Sequence, residues 1–217
     1  MSNKKERTCF VLAVVSLLIS FLAAQTDIRD REHQPDKVMD IAGVIPGLVI
    51  GEVGAGEGYF TFKLAARVGD RGRVYANDID SGALRTLMNR ARREGVANIE
   101  TIVGEVEDPL LPEGALDMVF MVNVLHDLEK PVELLRNLVP SLKPGGRVVI
   151  LDREPAKMAF NSRHFLPAET VLAKVKEAGF ELVRMETFLR QHNLYIITPT
   201  SERPRAAIMH GARLPGS

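Results

Sequence analysis

An acid and three alternating glycines stand together in I-G-E-V-G-A-G-E-G-Y, residues 50–59, directly after the apolar run Leu48-Val49-Ile50. Glu52 ends the run, and Gly54, Gly56 and Gly58 follow at every second position. Glycine has no Cβ and takes positive φ at little cost, so such a turn lets backbone come close to a nucleotide-like ligand. The spacing bears on which ligand. A dinucleotide turn reads G-x-G-x-x-G, with its third glycine three residues beyond the second. That place is Tyr59 here, and the third glycine comes one residue early, at Gly58.

Further polar residues fall where later strands end. V-Y-A-N-D-I-D offers Asp78, with Asp80 as a rival that better suits the start of the next helix. An ionised carboxylate has enough acceptor sites to take both hydroxyls of a ribose. G-E-V-E-D-P-L-L-P offers Glu105 first, with Glu107 and Asp108 as substitutes or as ordinary solvated acids. N-V-L-H-D-L offers Asn123, His126 and Asp127. Histidine titrates near neutrality, so His126 can take a proton from a nucleophile, or else simply cap or pack before the next helix. Asp152, Arg153, Glu154, Arg163, His164, Gln191 and His192 follow at later strand ends and loops. His126, His164 and His192 have no recognised metal-ligand spacing, and no metal is expected.

Alternating strands and helices must position these residues. Leu48–Glu52, Arg73–Asn77, Asn98–Val103, Leu116–Asn123 and Arg147–Asp152 read as strands. Tyr59–Val68 carries Phe60, Leu64 and Val68 on one face, and Leu84, Leu87, Met88 and Ala91 recur at helical spacing behind Ser81, a candidate cap. Pro131 and Pro167 open two more helices, and Asp36–Val44 is a short one. That order dictates a doubly wound parallel α/β sheet. Phe180–Phe188 and Asn193–Thr198 are close enough in sequence to form an antiparallel hairpin.

E-V-G-A-G-E-G-Y-F-T resembles the E/D-x-G-x-G-x-G turn of class I S-adenosylmethionine-dependent methyltransferases. V-Y-A-N-D-I-D and L-K-P-G-G-R-V-V-I-L-D support the resemblance, which spans about 36–199. It implies a seven-stranded, mostly parallel Rossmann-like sheet closed by a C-terminal antiparallel hairpin. It also implies S-adenosylmethionine as cofactor. The glycine loop (Gly54, Gly56, Gly58) would cradle the methionine part, with Glu52 facing its ammonium group directly or through water. Asp78 would hold the ribose. Glu105 and Val106 stand where the family has G-D-A-x-x-L-P beside the adenine, with one extra residue before Leu111-Pro112. Asn123 would border the cofactor, and His126 and Asp127 the acceptor, in a segment like the family's x-x-L-H-H-L-x-D-P. The implied activity is direct methyl transfer to a small-molecule acceptor. The cysteines of arsenite-methylating relatives are missing, as is any N-P-P-Y or D-P-P-Y run for nucleobase amines.

Composition sets the remaining bounds. A chain of 217 residues is about one domain. Lys+Arg and Asp+Glu both number 28, which argues against a broad nucleic-acid footprint. The single cysteine, Cys9, excludes an internal disulfide. Lys4, Lys5 and Arg7 precede the uncharged run Phe10–Ala24. This run falls short of the roughly 20 residues of a spanning helix, so residues 1–25 are expected to be a signal peptide or a short membrane anchor. The expected location is accordingly periplasmic, secreted or membrane-anchored, with a cytoplasm-facing domain left open. Residues 26–35 read as a linker and 200–217 as a flexible tail. Oligomeric state and acceptor identity are silent. Two other classes stay open: a non-catalytic protein of the same fold, and an NAD(P)-linked oxidoreductase, which the glycine spacing disfavours.

Overall fold

The computed structural model describes residues 28–159 and 164–200. Residues 1–25, Arg163 and the expected tail beyond Thr200 lie outside them. Residues 28–33 form helix α1, followed by α2 (Pro35–Ala42). Then come β1 (Val49–Val53), α3 (Thr61–Val68), β2 (Arg73–Asp78), α4 (Ser81–Glu94), β3 (Ile99–Val103) and β4 (Leu116–Val122). After them come α5 (Pro131–Leu138), β5 (Leu142–Arg153), α6 (Ala168–Glu177), β6 (Phe180–Glu186) and β7 (His192–Pro199). Short 3-10 turns separate some of these.

The seven strands lie in the order β3-β2-β1-β4-β5-β7-β6. β1 pairs in parallel with β2 and β4, and β7 runs antiparallel to both β5 and β6. The expected closing hairpin is therefore present, with β7 inserted beside β5. The order reverses direction between β1 and β4, so their carboxyl ends open a crevice, the place where ligands bind in such sheets.

Two apolar layers sandwich the sheet. One holds Ile50, Phe60, Leu64, Val74, Leu87 and Phe120. The other holds Val119, Leu135, Leu138, Ile150, Val175 and Tyr195. In the middle of β4 and β5, Val119, Phe120, Met121, Val148, Val149 and Ile150 are all fully buried. Both faces of these strands are covered, which explains their unbroken apolar runs.

Two local readings change. Asp80, not Ser81, caps α4: its Oδ1 accepts from the Gly82 and Ala83 amides at 2.7 and 3.3 Å. The expected linker is helical over residues 28–33 and packs onto the domain. Tyr59 Oη and Lys63 Nζ donate to the two oxygens of Asp30 at 2.8 and 2.9 Å. Among the described residues, no helix is long and apolar enough to cross a membrane.

Candidate active site

The three glycines of the turn divide their work. All have positive φ, at 74°, 54° and 89°. A Cβ on Gly54 would stand 2.1 Å from Val124 Cγ2, and one on Gly58 would stand 2.8 Å from Leu87 Cγ. These two let the turn pack against the loop after β4 and against α4. Nothing lies within 4 Å of the corresponding point on Gly56. Gly56 is thus the open position of the turn, and its amide donates to Asp78 Oδ2 at 2.8 Å. Asp78 Oδ1 accepts from the Asp80 amide at 2.9 Å. The carboxylate expected to hold a ribose is oriented by backbone on both sides, with lone pairs to spare.

Glu52 lies on β1 and is 2% exposed. Thr61 Oγ1, at the start of α3, donates to its Oε2 at 2.6 Å. Burial pushes the Glu52 carboxyl up to about 8; the Thr61 hydrogen bond opposes this and the nearby Asp78 charge adds to it. A buried acid of this kind suits a cationic ligand group.

The loop after β3 carries the three candidate acids. Glu105 and Val106 are exposed at the crevice edge. The Glu105 amide donates to the Asp108 carbonyl at 2.7 Å, which closes the turn. Glu107 pairs with Lys130, and Asp108 Oδ1 caps the Leu110 amide at 2.9 Å. Both of those carboxylates thus have partners within the protein.

The side chain of Asn123 does something the sequence did not suggest. Asn123 sits just past β4 with φ 54°. Its Nδ2 lies 2.9 Å from His33 Nε2, and its Oδ1 lies 2.9 Å from His192 Nε2. The amide bridges two buried imidazoles whose rings meet edge to face at 4.8 Å. A neutral His33 then accepts at Nε2, and a neutral His192 donates from Nε2. Burial, with help from Arg153, holds both well below the usual histidine range, at about 4 for His33 and about 3 for His192. Asn123 was expected to border the cofactor; its side chain is instead committed to this buried trio. The His33 ring also meets that of Tyr59, one residue after Gly58, at a tilt, with centroids 5.5 Å apart. Sequence reading missed His33 because it lay in the supposed linker. The spacing of Asp30 and His33 on one helical face was the available signal.

His126 and Asp127 lie on a 3-10 turn, Leu125–Asp127, beyond β4. His126 Nδ1 is 2.5 Å from Oδ1 of Asp152, which is 2% exposed at the end of β5. Asp152 Oδ2 accepts from the His126 amide at 3.1 Å. His164 Nε2 reaches Asp127 Oδ1 at 3.1 Å, and the His126 ring meets those of His164 and Phe165 at 5.0 and 4.7 Å. Arg153 lies over Phe165 at 5.2 Å. His126 and His164 therefore converge, whereas His192 belongs to the other cluster. Glu154 turns away from the crevice, accepting from Asn193 Nδ2 and the Ala168 amide at 2.8 and 3.0 Å. At the opposite end of the strands, where β4 and β5 begin, a cavity of about 320 Å³ is lined by Asp117, Lys143 and Arg147, among others, and plays no part in this site.

Residues 51–150 match the family model described as a methyltransferase domain. By this match residues 51–150 are similar to a methyltransferase domain, and the sheet has the class I methyltransferase fold. The fold agrees: a SAM dependent methyltransferase from Aquifex aeolicus superposes with a TM-score of 0.72, at 24% identity, over 78% of this chain and 92% of that one. The ubiquinone/menaquinone biosynthesis C-methyltransferase UbiE of Vibrio parahaemolyticus is 30% identical over 137 residues, 59% of this chain and 53% of the relative. The corresponding enzyme of an Enterobacter species is 31% identical over the same share of this chain and 55% of its own. The chain thus spans about half the length of the curated relatives it matches. The methyltransferase domain implies S-adenosylmethionine as its cofactor, and the residues present fit it. The open Gly56 position, the oriented Asp78 carboxylate and the buried Glu52 carboxyl stand together at the carboxyl ends of β1 and β2.

Proposed function

We propose that this chain is an S-adenosylmethionine-dependent methyltransferase acting on a small-molecule acceptor by direct methyl transfer. The observation that carries the reading is the open Gly56 turn held by Asp78, inside a domain whose family model matches. Bound S-adenosylmethionine supplies a methyl group already activated on a sulfonium.

The chain's own contribution is mainly alignment, which alone can lower a barrier by about 7–11 kcal/mol when reacting atoms are well oriented. Asp78 would hold the ribose, and the Gly56 turn would approach the methionine part. Glu52 would meet the ammonium, and Glu105 with Val106 would border the adenine. On the acceptor side, Asp152 fixes the His126 ring from behind. Nε2 of His126 would then take up a proton or a cation from the acceptor side.

The named relatives act in ubiquinone and menaquinone biosynthesis, so quinone precursors lead the list of acceptors to try. The test is incubation with methyl-labelled S-adenosylmethionine and a panel of such precursors and other small hydroxylated compounds. Labelled product with the wild type, lost in Asp78→Ala, is expected. Absence of any transfer despite cofactor binding would favour the non-catalytic alternative.

A further inference from the structure

We propose that His126, Asp127 and His164 bind a divalent cation, with Asp152 supporting His126 from behind. The three residues come from two loops that meet beyond the sheet: the 3-10 turn after β4 and the segment before α6. One ligand atom from each lies within 4.8 Å of the others. His164 Nε2 is 3.1 Å from Asp127 Oδ1, and His126 Nε2 is 3.4 Å from Asp127 Oδ2. Metal–donor bonds of about 2.0–2.2 Å place neighbouring donors roughly 3.0–3.5 Å apart. Each histidine thus already stands at that distance from one oxygen of the Asp127 carboxylate. A nitrogen of each histidine lies within 4.8 Å of the other, close enough for one ion to draw them together.

The hydrogen bonds to Asp152 carry the argument further. A carboxylate only accepts, and Asp152 Oδ1 lies 2.5 Å from His126 Nδ1. The Nδ1 atom therefore holds the proton, and in the neutral ring Nε2 holds a lone pair. That lone pair faces the Asp127 carboxylate across 3.4 Å. In the neutral ring that lone pair and the Asp127 carboxylate can both donate to one divalent ion, which would replace the proton that otherwise bridges them. A buried carboxylate behind a metal-binding histidine is also the arrangement that fixes tautomer and strengthens the ligand.

The donor set chooses among ions. Two imidazoles and one carboxylate suit Zn²⁺, Co²⁺ or Fe²⁺ better than Mg²⁺ or Ca²⁺, which favour all-oxygen sites. Three protein ligands leave at least one coordination position open. An ion there would bind a hydroxyl oxygen of the acceptor and lower its pKa. That role rests on the methyl-transfer reading; the cation site itself does not.

Co²⁺ is the probe, because its visible absorption reports coordination by nitrogen and oxygen. The purified full chain is titrated with Co²⁺, with stoichiometry measured by equilibrium dialysis, alongside His164→Ala and Asp127→Ala. Both side chains are more than half exposed, so these variants keep the fold, which circular dichroism checks. One Co²⁺ per chain in the wild type, with at least tenfold weaker binding in each variant, is expected. No stoichiometric binding, or equal affinity in wild type and both variants, overturns the site. S-adenosylmethionine binding is measured on the same samples. Its loss with Co²⁺ binding intact would count against the methyltransferase reading alone, and the converse against the cation site alone.

Discussion

The Gly56 amide donates to Asp78 Oδ2 at 2.8 Å, which ties the turn after β1 to the end of β2. The two features most diagnostic in the sequence are thus one device. The open glycine and the Asp78 carboxylate orient each other.

Asp78→Ala removes the proposed ribose acceptor and releases the Gly56 amide together. Hydrogen bonds to a charged group are worth about 1.5–3 kcal/mol each. Cofactor affinity should fall on the order of 100-fold, while the fold persists because Asp78 sits at the half-buried end of its strand. Asp78→Asn keeps the shape but presents an amide donor to one of the two backbone donors, so an intermediate loss is expected. Calorimetric titration of both variants checks the order.

The glycines should separate stability from binding. Gly54→Ala drives a methyl group into Val124 at a positive φ, so unfolding in denaturant should show a loss of a few kcal/mol, about 2–3. Gly56→Ala meets no neighbour and carries only its backbone strain, about 1 kcal/mol. Its main effect should fall on cofactor affinity, because the added methyl occupies the space a ligand approaches.

Glu52 should make cofactor binding release a proton. Its carboxyl, raised to about 8 by burial, is mostly neutral at pH 7. A cationic ligand group favours the ionised form, so affinity should rise with pH up to about 8. Glu52→Gln should flatten that rise. Calorimetry at pH 7 in buffers of different ionisation enthalpy measures the proton directly. The same shift acts on the unliganded protein in the opposite sense. Between about 4.5 and about 8 the folded state keeps a proton the unfolded chain has lost, so this group's contribution to stability falls as pH rises.

His33 and His192 should make the fold acid-sensitive. Both are neutral when folded, down to about 4 and about 3, whereas the unfolded chain protonates them near 6.5. In that window the unfolded state binds more protons, so stability drops as pH falls from about 6.5 towards 4. For His33 alone the loss is on the order of 3 kcal/mol. Denaturant midpoints across that range should fall more shallowly in His33→Gln than in the wild type.

The sequence revealed the parts of this site that depend on local spacing. Gly54, Gly56, Gly58 and Asp78 follow from turn chemistry and strand ends, and the closing hairpin follows from a family resemblance. What stayed hidden depends on long-range packing. No local signal says that Asn123 reaches back to His33 and across to His192. Nor does spacing show that Asp152 stands behind His126, because β4 and β5 bring them together in register. The supposed linker hid His33 because a short polar helix that docks by a few contacts has almost no apolar period to read.

The most direct measurement is calorimetric titration of the folded chain with S-adenosylmethionine, S-adenosylhomocysteine and NADH, repeated with Asp78→Ala. One-to-one binding of both sulfur compounds, none of NADH, and marked weakening in the variant is the result expected. No binding of either sulfur compound, or affinity unchanged by Asp78→Ala, would contradict the account.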